Sequence, residues 1–147
     1  MIALSLLFGA GACSSTPNQA HDAPLPSVAP AGPGAAVRAR LQGTWELVAF
    51  SSSTPIPEDA TPILTKLRGA VRLRFEADRL TTFVPGKPDE ETCDYAIEGE
   101  DGDSFTLVTT AGMFRRAKAH FLSTDLWEAT ENGPTWPGTT QFRRAPP

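Results

Sequence analysis

The chain has 147 residues, with 13 Lys and Arg against 17 Asp and Glu, a formal net charge of −4 and 40% apolar residues, which leaves room for one core of ordinary size. The mildly acidic balance, without a clustered basic face, excludes nucleic acid and charge-driven docking on anionic lipid from the expected partners. Residues 2–8 form an uncharged apolar run ending in the small residues Gly9, Ala10, Gly11 and Ala12. A bilayer-spanning helix takes roughly 20 apolar residues, so this run is too short for an anchor and reads as the core of a signal peptide over residues 1–12.

Cys13 follows at once, and the order Ala10-Gly11-Ala12-Cys13 resembles the lipobox of bacterial lipoproteins. The resemblance implies a lipidated cysteine that becomes the first residue of the mature chain and holds the protein on a membrane of the bacterial envelope. Ser14 is compatible with the periplasmic side of the outer membrane. A start upstream is expected to supply the Lys or Arg that ordinarily precede such a run. Each buried CH₂ contributes about 0.8 kcal/mol, so several acyl chains on one cysteine hold firmly where a single chain is marginal. Beyond it, Pro17, Pro24, Pro26, Pro30 and Pro33 stand among Ala, Ser and Gly with almost no bulky apolar residue. Such a stretch buries no core and extends by up to about 3.1 Å per residue. Residues 13–40 are therefore expected to be a disordered tether, and residues 41–144 the folded domain.

Residues 43–50 are dense in strand formers and read as the first strand, broken at Pro55 and Pro57. Thr61 and Pro62 open one short helix, in which Ile63, Leu64 and Leu67 recur until Gly69 closes it. Val71, Leu73 and Phe75 alternate with Arg72, Arg74 and Glu76, and residues 80–84 complete a hairpin. Residues 92–97 and 104–109 form a second hairpin; residues 113–121, 126–129 and 139–144 bring the strand candidates to eight. Short segments joined by tight turns, with a single helix and no βαβ rhythm, specify an all-β fold, an antiparallel up-and-down eight-stranded barrel whose closure removes exposed edges. Cys93 shares a strand face with Tyr95 and Ile97 and is flanked by acidic residues, so it reads as a small buried hydrophobe rather than a reactive thiol. With Cys13 lipidated, no disulfide is expected.

Gly43-Thr44-Trp45 on the first strand resembles the GxW signature of lipocalin-like barrels, and Phe142-Arg143-Arg144 resembles their terminal basic residue. That family lays the arginine across the tryptophan at the closed end of the barrel, a contact worth roughly 0.5–2 kcal/mol. Arg144 is the expected partner because it shares a strand face with Phe142; a slip of one residue in register would bring in Arg143 instead. The resemblance also implies a small apolar or amphipathic ligand inside the barrel. The domain is shorter than a typical ligand-carrying lipocalin, and short strands favour an interior filled by its own side chains.

Three residues are candidates for contact with such a ligand. Counting inward positions back from Ala117, Ala119 and Phe121 turns Arg115 inward, where a guanidinium either meets an anion or snorkels to solvent at the rim. Tyr95 lies on an inward face, and Trp136 sits in a Gly- and Pro-rich loop where it either lids the barrel mouth or seals an edge. Arg116, Lys118 and His120 form an outward basic row, and the acidic turns around Glu90 and Asp101 read as solvated. No HExxH, GxSxG or clustered Cys and His occurs, so neither catalysis, cofactor nor metal is expected. Two functional readings follow for an expected monomer: an envelope lipoprotein that holds a small ligand, or a filled barrel that binds another protein as an inhibitor or accessory module.

Overall fold

The computed structural model describes residues 32–131 and 137–146. Eight antiparallel strands close into a barrel in chain order: β1 (Gly43–Ser52), β2 (Arg72–Glu76), β3 (Arg79–Phe83), β4 (Glu90–Asp101), β5 (Ser104–Thr109), β6 (Arg116–Ser123), β7 (Leu126–Glu131) and β8 (Gly138–Arg144). Each strand pairs with its chain neighbours, and β1 pairs with β8 from Trp45↔Arg144 to Ser52↔Gly138, with an irregularity between Leu47 and Ala49. At the end of that seam only glycine fits, since a Cβ on Gly138 would lie 2.3 Å from the Ser51 carbonyl oxygen.

Alternation puts Trp45, Leu73, Phe75, Tyr95, Phe105, Leu107, Phe121, Trp127 and Phe142 inside. Trp127 is the hub. It stacks on Phe142 with centroids 4.7 Å apart and meets Trp45 and Phe75 edge-on. These buried rings plug the barrel axis. The indole Nε1 of Trp127 is buried without a hydrogen-bond partner among the described residues.

Two short helices are present where the sequence predicts one. α2 (Thr61–Leu67) is the expected helix, with Ala60 rather than Thr61 at its cap position. α1 (Ala35–Leu41) falls inside the stretch assigned to the tether, so the folded domain starts before residue 41. Its Val37 and Leu41 are fully buried, one turn apart on the face that meets the barrel. Entry to α1 requires glycine: Gly34 has φ +75°, and a Cβ there would lie 2.5 Å from that of Ile97.

α1 covers one end of the barrel, and three side chains, Arg40 of the helix, Gln42 just after it and Arg144 of β8, tie that end to the three hairpin turns there. Arg40 bonds Asp103 at 2.6 Å in the β4–β5 turn, Gln42 Oε1 accepts the Ala77 N–H of the β2–β3 turn at 3.0 Å, and Arg144 reaches Asp125 of the β6–β7 turn at 3.1 Å. The last carbonyls of a helix lack intrahelical donors. Here Trp45 Nε1 donates to the Leu41 carbonyl at 2.7 Å, and the Arg144 fork donates to those of Arg40 and Gln42 at 2.9 and 3.0 Å. The same guanidinium lies 4.2 Å over the Trp45 ring. Arg143 points outward to Glu46 at 3.6 Å. Gly43, at φ +104°, makes the turn from α1 into β1 and leaves space beside Arg144.

Candidate functional site

The opposite end is built differently. α2 crosses it with none of its residues buried, because the loop between β1 and β2 carries it over the rim rather than into the core. Beneath it lies a cavity of about 620 Å³, with a smaller one of about 120 Å³ on the helix's other flank. The larger cavity has α2 as one wall through Ala60, Ile63, Leu64 and Leu67, and the Gly112–Arg115 segment as another. Leu47 and Phe50 of β1 and Glu131, Gly138 and Thr140 of the β7–β8 pair complete it. Ile63 and Met113 are 59% and 39% exposed, so the mouth displays apolar surface to solvent.

The cavity does not run down the barrel axis. Phe114, 3% exposed, forms its base and packs at 5.8 Å on Phe142 and 6.5 Å on Trp127, the rings of the plug. The Thr109 hydroxyl meets the carbonyl oxygens of Phe114 and Ala111, which fixes the segment carrying Phe114 and Arg115.

Arg115 sits at this mouth, but as an exposed residue. The inward position falls to Phe114, because β6 begins only at Arg116 and the two-residue alternation does not extend back through the loop. Arg115 Nη1 donates to the Thr110 carbonyl at 2.6 Å, and its backbone N–H donates to Glu131 Oε1 at 3.1 Å. Tyr95 faces inward as expected yet belongs to the other end: its hydroxyl donates to the Ala77 carbonyl at 2.8 Å and accepts from Gln42 Nε2 at 3.2 Å. It therefore does not line the cavity. Burial raises the Tyr95 pKa above 10.0, with the Gln42 hydrogen bond opposing it. Trp136 and Cys13 lie outside the described residues. No family model, curated protein or solved structure matches the chain.

Of the lining, sequence reasoning anticipated Arg115 alone and missed the α2 residues, Met113, Phe114 and the contributions of β1 and the β7–β8 pair. Ile63, Leu64 and Leu67 were legible as an apolar helical face, and an apolar face whose helix ends up on a rim is the signal that could have found the site. Cys93 is buried, with Sγ 3.4 Å from the Ala111 carbonyl oxygen. Arg116, Lys118 and His120 line the outer surface, where Arg116 bonds Glu98 at 2.6 Å and His120 lies 3.6 Å from Glu128. Among the described residues no group of three or more metal-ligating side chains converges, and no helix is long and apolar enough to cross a membrane.

Proposed function

We propose that this chain is a lipid-anchored lipoprotein of the bacterial envelope, held through Cys13 on the periplasmic side of the outer membrane. Its lipocalin-like barrel binds a small apolar or amphipathic molecule without catalysing a reaction. The observation that carries the ligand reading is the cup of about 620 Å³ under α2, mostly apolar in its lining and within the roughly 300–1,000 Å³ usual for small-molecule sites. The lipocalin comparison draws support from Arg144 lying over Trp45, the contact that the GxW resemblance implies. The alternative, a filled barrel that binds another protein, draws on the aromatic plug around Trp127.

Native mass spectrometry of the full chain purified from bacterial membranes tests both halves. The expected spectrum has an N-terminal peptide starting at an acylated Cys13 and a small molecule that leaves the barrel on collisional activation. An unmodified Cys13 overturns the anchor. A barrel that carries no small molecule and takes up none from a total membrane extract overturns the ligand reading and leaves the filled-barrel one.

A further inference from the structure

Among the described residues, the lining of the larger cavity includes one cation, Arg115, and one carboxylate, Glu131. Their side chains are not paired with each other. Glu131 accepts the Arg115 backbone N–H, and no carboxylate among the described residues comes within 4.0 Å of the Arg115 guanidinium. Elsewhere, Arg40, Arg72, Arg74, Arg116, Arg143 and Arg144 each meet an acidic partner; Arg38, Arg68 and Arg79, like Arg115, have none within 4.0 Å among the described residues, but they do not line the larger cavity. A guanidinium carries five N–H donors in a planar fork. One of those at Arg115 is spent on the Thr110 carbonyl, which fixes the group at the rim and leaves the rest for an oxyanion, whose two oxygens match the fork. A chain of net charge −4 has no general attraction for anions, so any preference for one must be local.

The cavity floor bounds the rest of the molecule. Phe114 rests on the Trp127–Phe142 stack, so an apolar body can lie across the mouth beneath Leu64 but cannot thread down the axis. We propose that the cup takes a compact anionic amphiphile, its carboxylate or sulfonate on Arg115 and its apolar body on Phe114 under α2. This rests on reading the cup as a ligand site, and it adds the charge and the shape of the ligand.

Two fluorescent probes separate the two ideas. Anilinonaphthalene sulfonate and phenylnaphthylamine share a skeleton and differ by the sulfonate. Titrated into the full chain at low ionic strength, they compete for one site, and the sulfonate binds about tenfold tighter, the scale of a charge-assisted pair. Arg115→Gln brings the ratio of affinities close to one, Arg115→Lys retains part of it, and Arg116→Gln leaves it unchanged. Circular dichroism identifies any variant that has lost its fold, and the Lys variant then carries the comparison. Equal binding of both probes by the unaltered chain, or a ratio unmoved by Arg115→Gln, overturns the proposal while leaving the cup a ligand site. Failure of both probes to bind overturns the ligand reading and this proposal with it.

Discussion

The two ends of this barrel use the same kinds of residue to opposite effect. At the α1 end, Arg144 satisfies two carbonyls and one carboxylate, and Gln42 and Tyr95 hold the β2–β3 turn between them. That turn carries Ala77 at φ +51°, a left-handed conformation of order 1 kcal/mol above the ordinary ones, and its N–H and carbonyl are both claimed by the clamp. At the α2 end, leucine and isoleucine stay partly in water and an arginine lacks an acidic partner. Buried apolar area and satisfied donors stabilise a fold, whereas exposed apolar area and open donors cost it. Stabilising contacts are therefore concentrated at one end, and exposed apolar surface at the other.

The contrast breaks most severely at the hub. Trp127→Ala removes the ring on which five others pack and is expected to cost about 4 kcal/mol in chemical denaturation. Trp127→Phe keeps an aromatic ring while deleting the unpartnered N–H, and should cost far less. Next comes Arg144→Ala, which leaves the Arg40 and Gln42 carbonyls without their donors and uncovers the Trp45 ring; a loss of about 2 kcal/mol is expected from the same measurement.

Tyr95 sharpens the comparison through pH. It is the chain's one tyrosine, so its ionisation can be followed directly by ultraviolet absorbance. Because burial raises its pKa above 10.0, the unfolded chain loses the phenolic proton first as pH rises, and the stability present below pH 10.0 declines above it until the folded-state pKa is passed. The absorbance midpoint should lie above 10.0, and Gln42→Met should move it further up by removing a hydrogen bond that favours the phenolate. Tyr95→Phe should abolish this part of the alkaline slope. The smallest effect on stability belongs to the mouth, where Ile63→Lys is expected to change unfolding by no more than about 0.5 kcal/mol while weakening both fluorescent probes.

Strand periodicity made the barrel legible, because a two-residue repeat fixes which side chains point inward. Phe142 and Arg144 share a face in the structure as they do in the pattern, and Arg143 points away. Periodicity does not give height along the barrel, which is why Tyr95 could be placed inside but not assigned to the α1 end. Nor does it pass through an irregular segment, and so Arg115 and Phe114 exchanged roles. α1 was hidden by composition: Ala35, Ala36 and Ala39 are good helix formers, but beside five prolines they read as part of the extended stretch. The pair Val37 and Leu41, four apart, was the available sign. The cup was illegible for a different reason, since a void is set by where α2 lands, and the long connection from β1 does not encode that locally.

The Gln42–Arg144 bond joins residues 102 positions apart, and the seam it secures is made from the first and last strands. Until β8 arrives, the chain is an open sheet with two unpaired edges, and pairing so distant in sequence is intrinsically slow. Closure therefore waits on residues 138–144, the last strand in the chain, and no earlier segment can complete the barrel without it.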